Sequence, residues 1–272
     1  MRLSITTDYV ADRGSPEPYL RRIAEAEFTH VHWCHHWNTD FLYAEVEIEQ
    51  IAKWLAQYGL ALLDLHASVG PEKKWNSAVE YERLAGVELV RNRIAMTRRL
   101  GGDVIIMHTG GEAELPAVRR SLDTLAPFAR EHGVRIAVEN GVFGVLRQLF
   151  AEYPPDYLGL CYDCGHGNIV TPTKDRDGRG LDDLETLKDR LISVHLHDND
   201  GTKDQHQLPF LGTVDWPRLA RILARSSYRK CVSLEAQKAN SGIADEGAFR
   251  ARAYEVANRF AGMIEKERPS VA

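Results

Sequence analysis

Six apolar runs in this 272-residue sequence each finish on a side chain that can hold a metal ion or move a proton. They are Leu60–Leu65 before His66, Val104–Met107 before His108, Ile136–Val138 before Glu139, Leu158–Tyr162 before Asp163, Leu191–Val194 before His195, and Val232–Leu234 before Glu235. Any one of these is unremarkable, because a His or Glu often ends a strand as a hydrogen-bonded or solvated group. Six in order are not accidental. Carboxylates gathered at one point repel one another and take up protons unless a cation neutralises them. If the six runs end at one place, a divalent ion there, Mn²⁺, Mg²⁺, Co²⁺ or Zn²⁺, is the economical solution.

Further candidates lie close by in sequence. His166 follows Asp163 in Asp163–Cys164–Gly165–His166, read as a tight turn aiming both side chains inward. His197 lies two residues beyond His195 and shares a strand face with it. Asp204 and His206 stand in the loop after the seventh run, where a metal role and a simple Asp–His hydrogen bond are equally good readings. Trp33–Cys34–His35–His36–Trp37 is a dense aromatic cluster after the second run. Trp37 is the candidate for stacking on a sugar ring, whereas Trp33 reads as a packed loop cap.

The elements that must position these groups alternate along the chain. Strand-like runs occur at Leu3–Thr7, Thr29–Trp33, Leu60–His66, Val104–His108, Val134–Glu139, Leu158–Asp163, Leu191–His197 and Cys231–Glu235, with helical patterns between most of them and a last one near Glu246–Glu267. Gly59, Gly101, Gly133 and Gly159 are placed to end helices. Eight strands alternating with helices imply parallel pairing through βαβ crossovers, and eight units would average 34 residues. The expected fold is α/β, a single (β/α)₈ TIM barrel spanning residues 1–272, whose strands bring their C-terminal ends to one face. A doubly wound sheet would put a Gly-rich phosphate turn after its first strand. Here Thr7 is followed by Asp8–Tyr9–Val10–Ala11.

Composition limits the partners. Lys and Arg number 34 against 39 Asp and Glu, a formal charge of -5. That balance disfavours nucleic acid and anionic membranes as partners. The strand-following loops carry Lys73, Lys74, Lys174, Arg176, Arg179 and Lys203 but more acidic residues still. With no signal-peptide pattern and no apolar run of about 20 residues, a soluble, cytoplasmic protein is expected. The four cysteines are too few for a disulfide framework. Cys161 and Cys164 read as small apolar fillers rather than a redox pair. A homodimer is compatible with the apolar loop residues.

The strand-end pattern resembles the xylose-isomerase-like, or AP-endonuclease-2-type, TIM-barrel superfamily over nearly the whole chain. Its most specific pieces are Val138–Glu139–Asn140, Asp163–Cys164–Gly165–His166, Val194–His195–Leu196–His197–Asp198 and the Asp204–Trp216 segment with its Gly-x-x-Asp-Trp ending. The resemblance implies one metal on Glu139, Asp163, His195 and Glu235, with His166 touching a carbohydrate substrate. It also implies a sugar, sugar phosphate or inosose isomerase or epimerase, in which Glu139 and Glu235 move the proton through a metal-stabilised enediolate. The endonuclease IV branch holds three zinc ions with nine ligands, and all nine types occur here once His66, His108, His166, Asp204 and His206 are added. That nuclease is the alternative reading. A non-catalytic sugar-binding barrel is a third, disfavoured by the intact acid pair.

Overall fold

The computed structural model describes residues 1–36, 42–67, 74–169 and 180–268. Eight strands, β1 (Arg2–Thr6), β2 (His30–Trp33), β3 (Ala61–His66), β4 (Val104–Met107), β5 (Arg135–Glu139), β6 (Leu158–Asp163), β7 (Leu191–His195) and β8 (Cys231–Leu234), form one parallel sheet in the order β7-β6-β5-β4-β3-β2-β1-β8. The ends of that order meet through Leu196, which donates to Ser233 O at 3.0 Å and accepts from Glu235 N at 3.1 Å. The sheet is thereby a nearly closed barrel, the (β/α)₈ architecture expected from the alternation.

Helices α1 (Glu17–Glu25), α2 (Glu45–Tyr58), α3 (Glu80–Arg99), α4 (Leu115–His132), α5 (Phe143–Glu152), α6 (Cys164–Asn168), α7 (Gly180–Leu187), α8 (Trp216–Arg225) and α9 (Glu246–Glu267) follow the strands. α9 shows why they pack. Phe249, Ala253, Val256, Ala257, Phe260, Ala261 and Ile264 recur at helical spacing and are all buried, and Asp245 caps the start by accepting from Ala248 N at 2.7 Å. Gly59 and Gly133 end α2 and α4 in the left-handed conformation, as expected of glycine there. Gly159 does not end a helix. It lies within β6, where an added Cβ would stand 2.6 Å from Ile192 Cδ1 and 2.9 Å from Arg190 O. α5, which has no helix-stop glycine, ends at Glu152 instead.

The sheet separates two apolar regions. The large core lies between strands and helices, whereas Val104, Ile106, Ala137, Cys161 and Ile192 form a small cluster of their own inside the barrel. Opposite them the interior is polar: Ser4, Asp64, Ser193 and Ser233 are buried there. Strand side chains alternate, so the residue two steps beyond an inward one also points inward, at the barrel mouth. Ala137 leads to Glu139, Cys161 to Asp163, Ser193 to His195, and Ser233 to Glu235. No helix among the described residues is long and apolar enough to cross a membrane.

One close approach fixes α3 against the loop after β3. A Cβ on Gly86 would lie 2.2 Å from Trp75 N. Helix propensity favours Ala over Gly by about 1 kcal/mol, but a backbone clash cannot be relieved by a rotamer change, and overpacking costs about 1–3 kcal/mol or more. Gly86→Ala is therefore expected to lower the thermal midpoint. A midpoint equal to or above that of the parent chain would show that the Trp75 segment yields freely.

Candidate metal centre

All six strand-end side chains arrive at the same face. Glu139 is the hub. Its buried carboxylate has Oε2 3.1 Å from His108 Nε2, 3.4 Å from His66 Nε2 and 3.5 Å from His195 Nδ1, and Oε1 3.0 Å from His166 Nδ1. His195, fully buried, places Nδ1 3.0 Å from Glu235 Oε2 and 4.0 Å from Asp163 Oδ2. His197 Nε2 meets Asp163 Oδ1 at 3.0 Å. Asp204 reaches His206 Nε2 at 2.9 Å, the local bond of that pair, and His166 Nε2 at 3.3 Å, which ties the loop to the site. Trp37 lies outside the described residues. Trp33 is buried and donates to Tyr43 Oη at 3.3 Å, a packed cap as expected.

Local structure explains how each group is aimed. Asp163–His166 is not a tight turn. Asp163 caps the short helix α6, its Oδ1 accepting from His166 N at 2.8 Å, and that first turn brings His166 back over Glu139. Asn140 holds Asp163 from both sides, donating from Nδ2 to its carbonyl at 3.0 Å and accepting its N–H at 2.6 Å. Gly165 lets His197 pass, since a Cβ there would stand 1.9 Å from His197 Cε1. The loop bearing Asp204 and His206 is anchored by buried Asp198, which accepts from Trp216 Nε1 at 2.8 Å and from Val214 N at 3.1 Å. Gly212 packs there so closely that a Cβ would meet Asn199 O at 2.1 Å. His206 Nδ1 is 2.7 Å from Glu235 O.

Sequence reading missed Asp8. It follows Thr6 at the period-two spacing that places it at the mouth of β1, and it accepts from Thr6 Oγ1. Burial, with the nearby Glu235 carboxylate adding to it, pushes its carboxyl up. Thr6–Asp8 was the available signal, masked because the apolar run breaks at Thr6.

The electrostatics suit a cation. Burial pushes the Glu139 and Glu235 carboxyls up, yet the neighbouring imidazoles, His195 foremost, outweigh it and hold both well below the usual range. Burial opposes charge on His195, but Cys161, Glu235 and Glu139 beside it raise it well above its ordinary value. Against burial, Asp163, Asp204 and Glu139 lift His166 to about 12, and Asp204 lifts His206 to about 10. His66 is the opposite case, pushed down by burial to about 4, and so is neutral at pH 7. Burial also lifts the Cys161 thiol to about 12 and that of Cys164 well above its usual value. Both stay protonated, as fillers would. His195 Nδ1 lies among three carboxylates without hydrogen-bond alignment to any. The unpartnered His195 nitrogen among these carboxylates fits a divalent ion, which Glu139, Asp163, His195 and Glu235 would hold. The trios His66–His108–Glu139 and Glu139–Asp163–His166 each have donor atoms within 4.8 Å of one another.

Residues 20–254 match the family described as xylose isomerase-like TIM barrel. The chain belongs to that family. It is 31% identical to the uncharacterized protein y4fM of Sinorhizobium fredii, over 93% of this chain and 91% of that one. Among solved structures, a D-tagatose 3-epimerase-like protein superposes with a TM-score of 0.79 at 19% identity, covering 98% of this chain and 99% of its own. An L-ribulose 3-epimerase does so with a TM-score of 0.74 at 18% identity, covering 98% and 95%. At these identities the likeness is one of fold.

Two outcomes follow for this xylose isomerase-like barrel. Gly165→Ala must displace His197 from Asp163, and disturbing a group that orients a ligand typically weakens metal binding about 10–100-fold. Titration calorimetry with Mn²⁺ or Co²⁺ that shows unchanged affinity would remove His197 from the site's support. Protons on the raised imidazoles must leave when a cation takes their lone pairs. Affinity should therefore rise with pH through neutrality, with at least about one proton released per ion. Calorimetry in two buffers of different ionisation enthalpy reads that number, and zero release would show that no proton stands where the cation binds.

Proposed function

We propose that this chain is a divalent-metal-dependent sugar epimerase or isomerase that works by proton transfer beside a carbonyl. One observation carries the reading: Glu139 at the end of β5 and Glu235 just beyond β8 both approach the same atom, His195 Nδ1, at 3.5 and 3.0 Å. Both carboxylates are held ionised, the state a base needs before it takes a proton. A divalent ion among Glu139, Asp163, His195 and Glu235 would act as a Lewis acid on a carbonyl oxygen and its neighbouring hydroxyl. One glutamate would take the proton from the carbon beside the carbonyl, giving a planar enediolate, and the other, after first taking up a proton from solvent, would return it to the substrate. Return to the opposite face of the same carbon is epimerisation, and return to the adjacent carbon is isomerisation. His166, beside Glu139 Oε1 and half-open to the mouth, is placed to donate to a substrate hydroxyl. The epimerases among the solved structures it resembles support a sugar as the substrate class, with an inosose or a phosphorylated sugar as variants.

A second reading has one observation in its favour. His66 and His108 both reach Glu139 Oε2, at 3.4 and 3.1 Å, so the mouth can seat more than one ion, as a trinuclear-zinc AP endonuclease requires. The acidic balance of the chain weighs against a DNA partner.

The test is a panel of ketopentoses, ketohexoses and inososes in D₂O with the chain loaded in turn with Mn²⁺, Mg²⁺, Co²⁺ and Zn²⁺, reading deuterium at the carbon beside the carbonyl. Exchange should occur with at least one of them and stop with EDTA. Glu139→Gln and Glu235→Gln should each lower turnover about 10²–10⁴-fold with the fold intact. Near-normal exchange in either variant removes that glutamate from the pair. Incision of abasic-site DNA without any sugar exchange would favour the nuclease.

A further inference from the structure

Deeper in the barrel lies a polar group that the proposed proton transfer does not use. His32 of β2 and Asp64 of β3 are both buried, with His32 Nδ1 2.9 Å from Asp64 Oδ1. Ser193 Oγ of β7 donates to the other Asp64 oxygen. The ladder creates this pairing. Val31 is opposite Leu62 and His32 is opposite Asp64, so the register slips by one residue at Leu63 and turns both polar side chains into the interior.

Asp64 is provided for, because its two oxygens have the imidazole N–H and the hydroxyl. His32 is not. Its Nε2 is fully buried and has no hydrogen-bond partner among the described residues. It faces Glu235 Oε1 at 3.8 Å, and its ring centroid is 4.5 Å from that of His195. With Nδ1–H committed to Asp64, Nε2 turns a lone pair toward a carboxylate oxygen 3.8 Å away, and two acceptors make no hydrogen bond with each other. Two ligands each about 2.0–2.1 Å from one tetrahedral ion are roughly 3.4 Å apart, which is the spacing this pair approaches. Donor atoms of His32, His195 and Glu235 all lie within 4.8 Å of one another. A carboxylate holding the far nitrogen of a ligating histidine is also the usual way such a ring is oriented.

We propose that His32, His195 and Glu235 form a further divalent-cation site, oriented by Asp64 and Ser193. Two imidazoles and one carboxylate with an open position suit a borderline ion, Zn²⁺ or Co²⁺, rather than Mg²⁺. The site shares His195 and Glu235 with the centre above but needs neither Glu139 nor Asp163, and because a neutral imidazole has one lone pair the two are alternative seats for the ion that His195 holds. Its ion would hold Glu235 by Oε1 and leave Oε2 toward the mouth. The inference stands apart from the epimerase reading, since it concerns metal alone.

The decisive variant is His32→Asn, whose amide nitrogen can still donate to Asp64 from the position of Nδ1 while nothing replaces Nε2. The full-length chain is stripped with EDTA and titrated with Zn²⁺ and with Co²⁺. Bound ions are counted after dialysis, and circular dichroism serves as the check on folding. In the Asp163→Asn background, adding His32→Asn should weaken the remaining binding step at least about tenfold. Asp64→Asn should weaken the same step about 10–100-fold. Asp163→Asn should keep a binding step that disappears in the double variant with His32→Asn. Affinity in the folded double variant equal to that of Asp163→Asn alone would overturn the proposal, and should the double variant not fold, unchanged affinity on adding Asp64→Asn to Asp163→Asn overturns it equally. Absence of sugar exchange in the parent chain would sink the epimerase reading and leave these counts unaffected.

Discussion

A carboxylate surrounded by four imidazoles, with almost no water around it, is the constraint on which this barrel turns. Glu139 meets His66, His108, His166 and His195 within 3.5 Å. Such a group is costly to bury unless its charge is answered, and everything nearby arranges that answer. Three strands deliver His66, His108 and His195, α6 folds His166 back, and Asn140 pins Asp163. The loop from Asp198 to Asp215 hangs from the Trp216 indole and brings Asp204 under His166. Remove the charge at Glu139 and these supports have no common target.

The barrel and its six strand-end groups were readable because a period of two residues propagates rigidly. Once Ala137 points inward, so does Glu139, whatever the loops do. What was not readable depended on interruptions of that period. Asp8 sits past a strand whose apolar run breaks at Thr6. His32 and Asp64 are brought face to face only by the one-residue slip at Leu63, which no periodicity in the sequence announces. Gly159 resembled a helix stop because glycine between a helix and a strand usually is one, yet its role is to admit Ile192 beside β6. The Asp163–His166 spacing suits either a turn or a helical first turn, and the cap to His166 N decides for the helix.

The likeness to sugar epimerases at under 20% identity is a likeness of scaffold, and folds of this kind host many chemistries. What individualises this chain is the division of its interior. One wall, from β4 to β7, is packed with small apolar side chains. The other, from β1 to β3 with β7 and β8, carries serines, His32 and Asp64. A polar wall of that sort tolerates ions and protons, whereas an apolar wall fixes shape.

The barrel closes at β7 and β8 through a single residue, Leu196. On either side of that seam stand His195 and Glu235, 3.0 Å apart. The least-stitched join in the wall and a close approach between two candidate ligands are therefore the same place. A cation gripping both residues would act as a clasp on the cylinder, tying occupancy of the site to integrity of the wall. Whatever opened the seam would then loosen the grip, and whatever filled the grip would hold the seam shut.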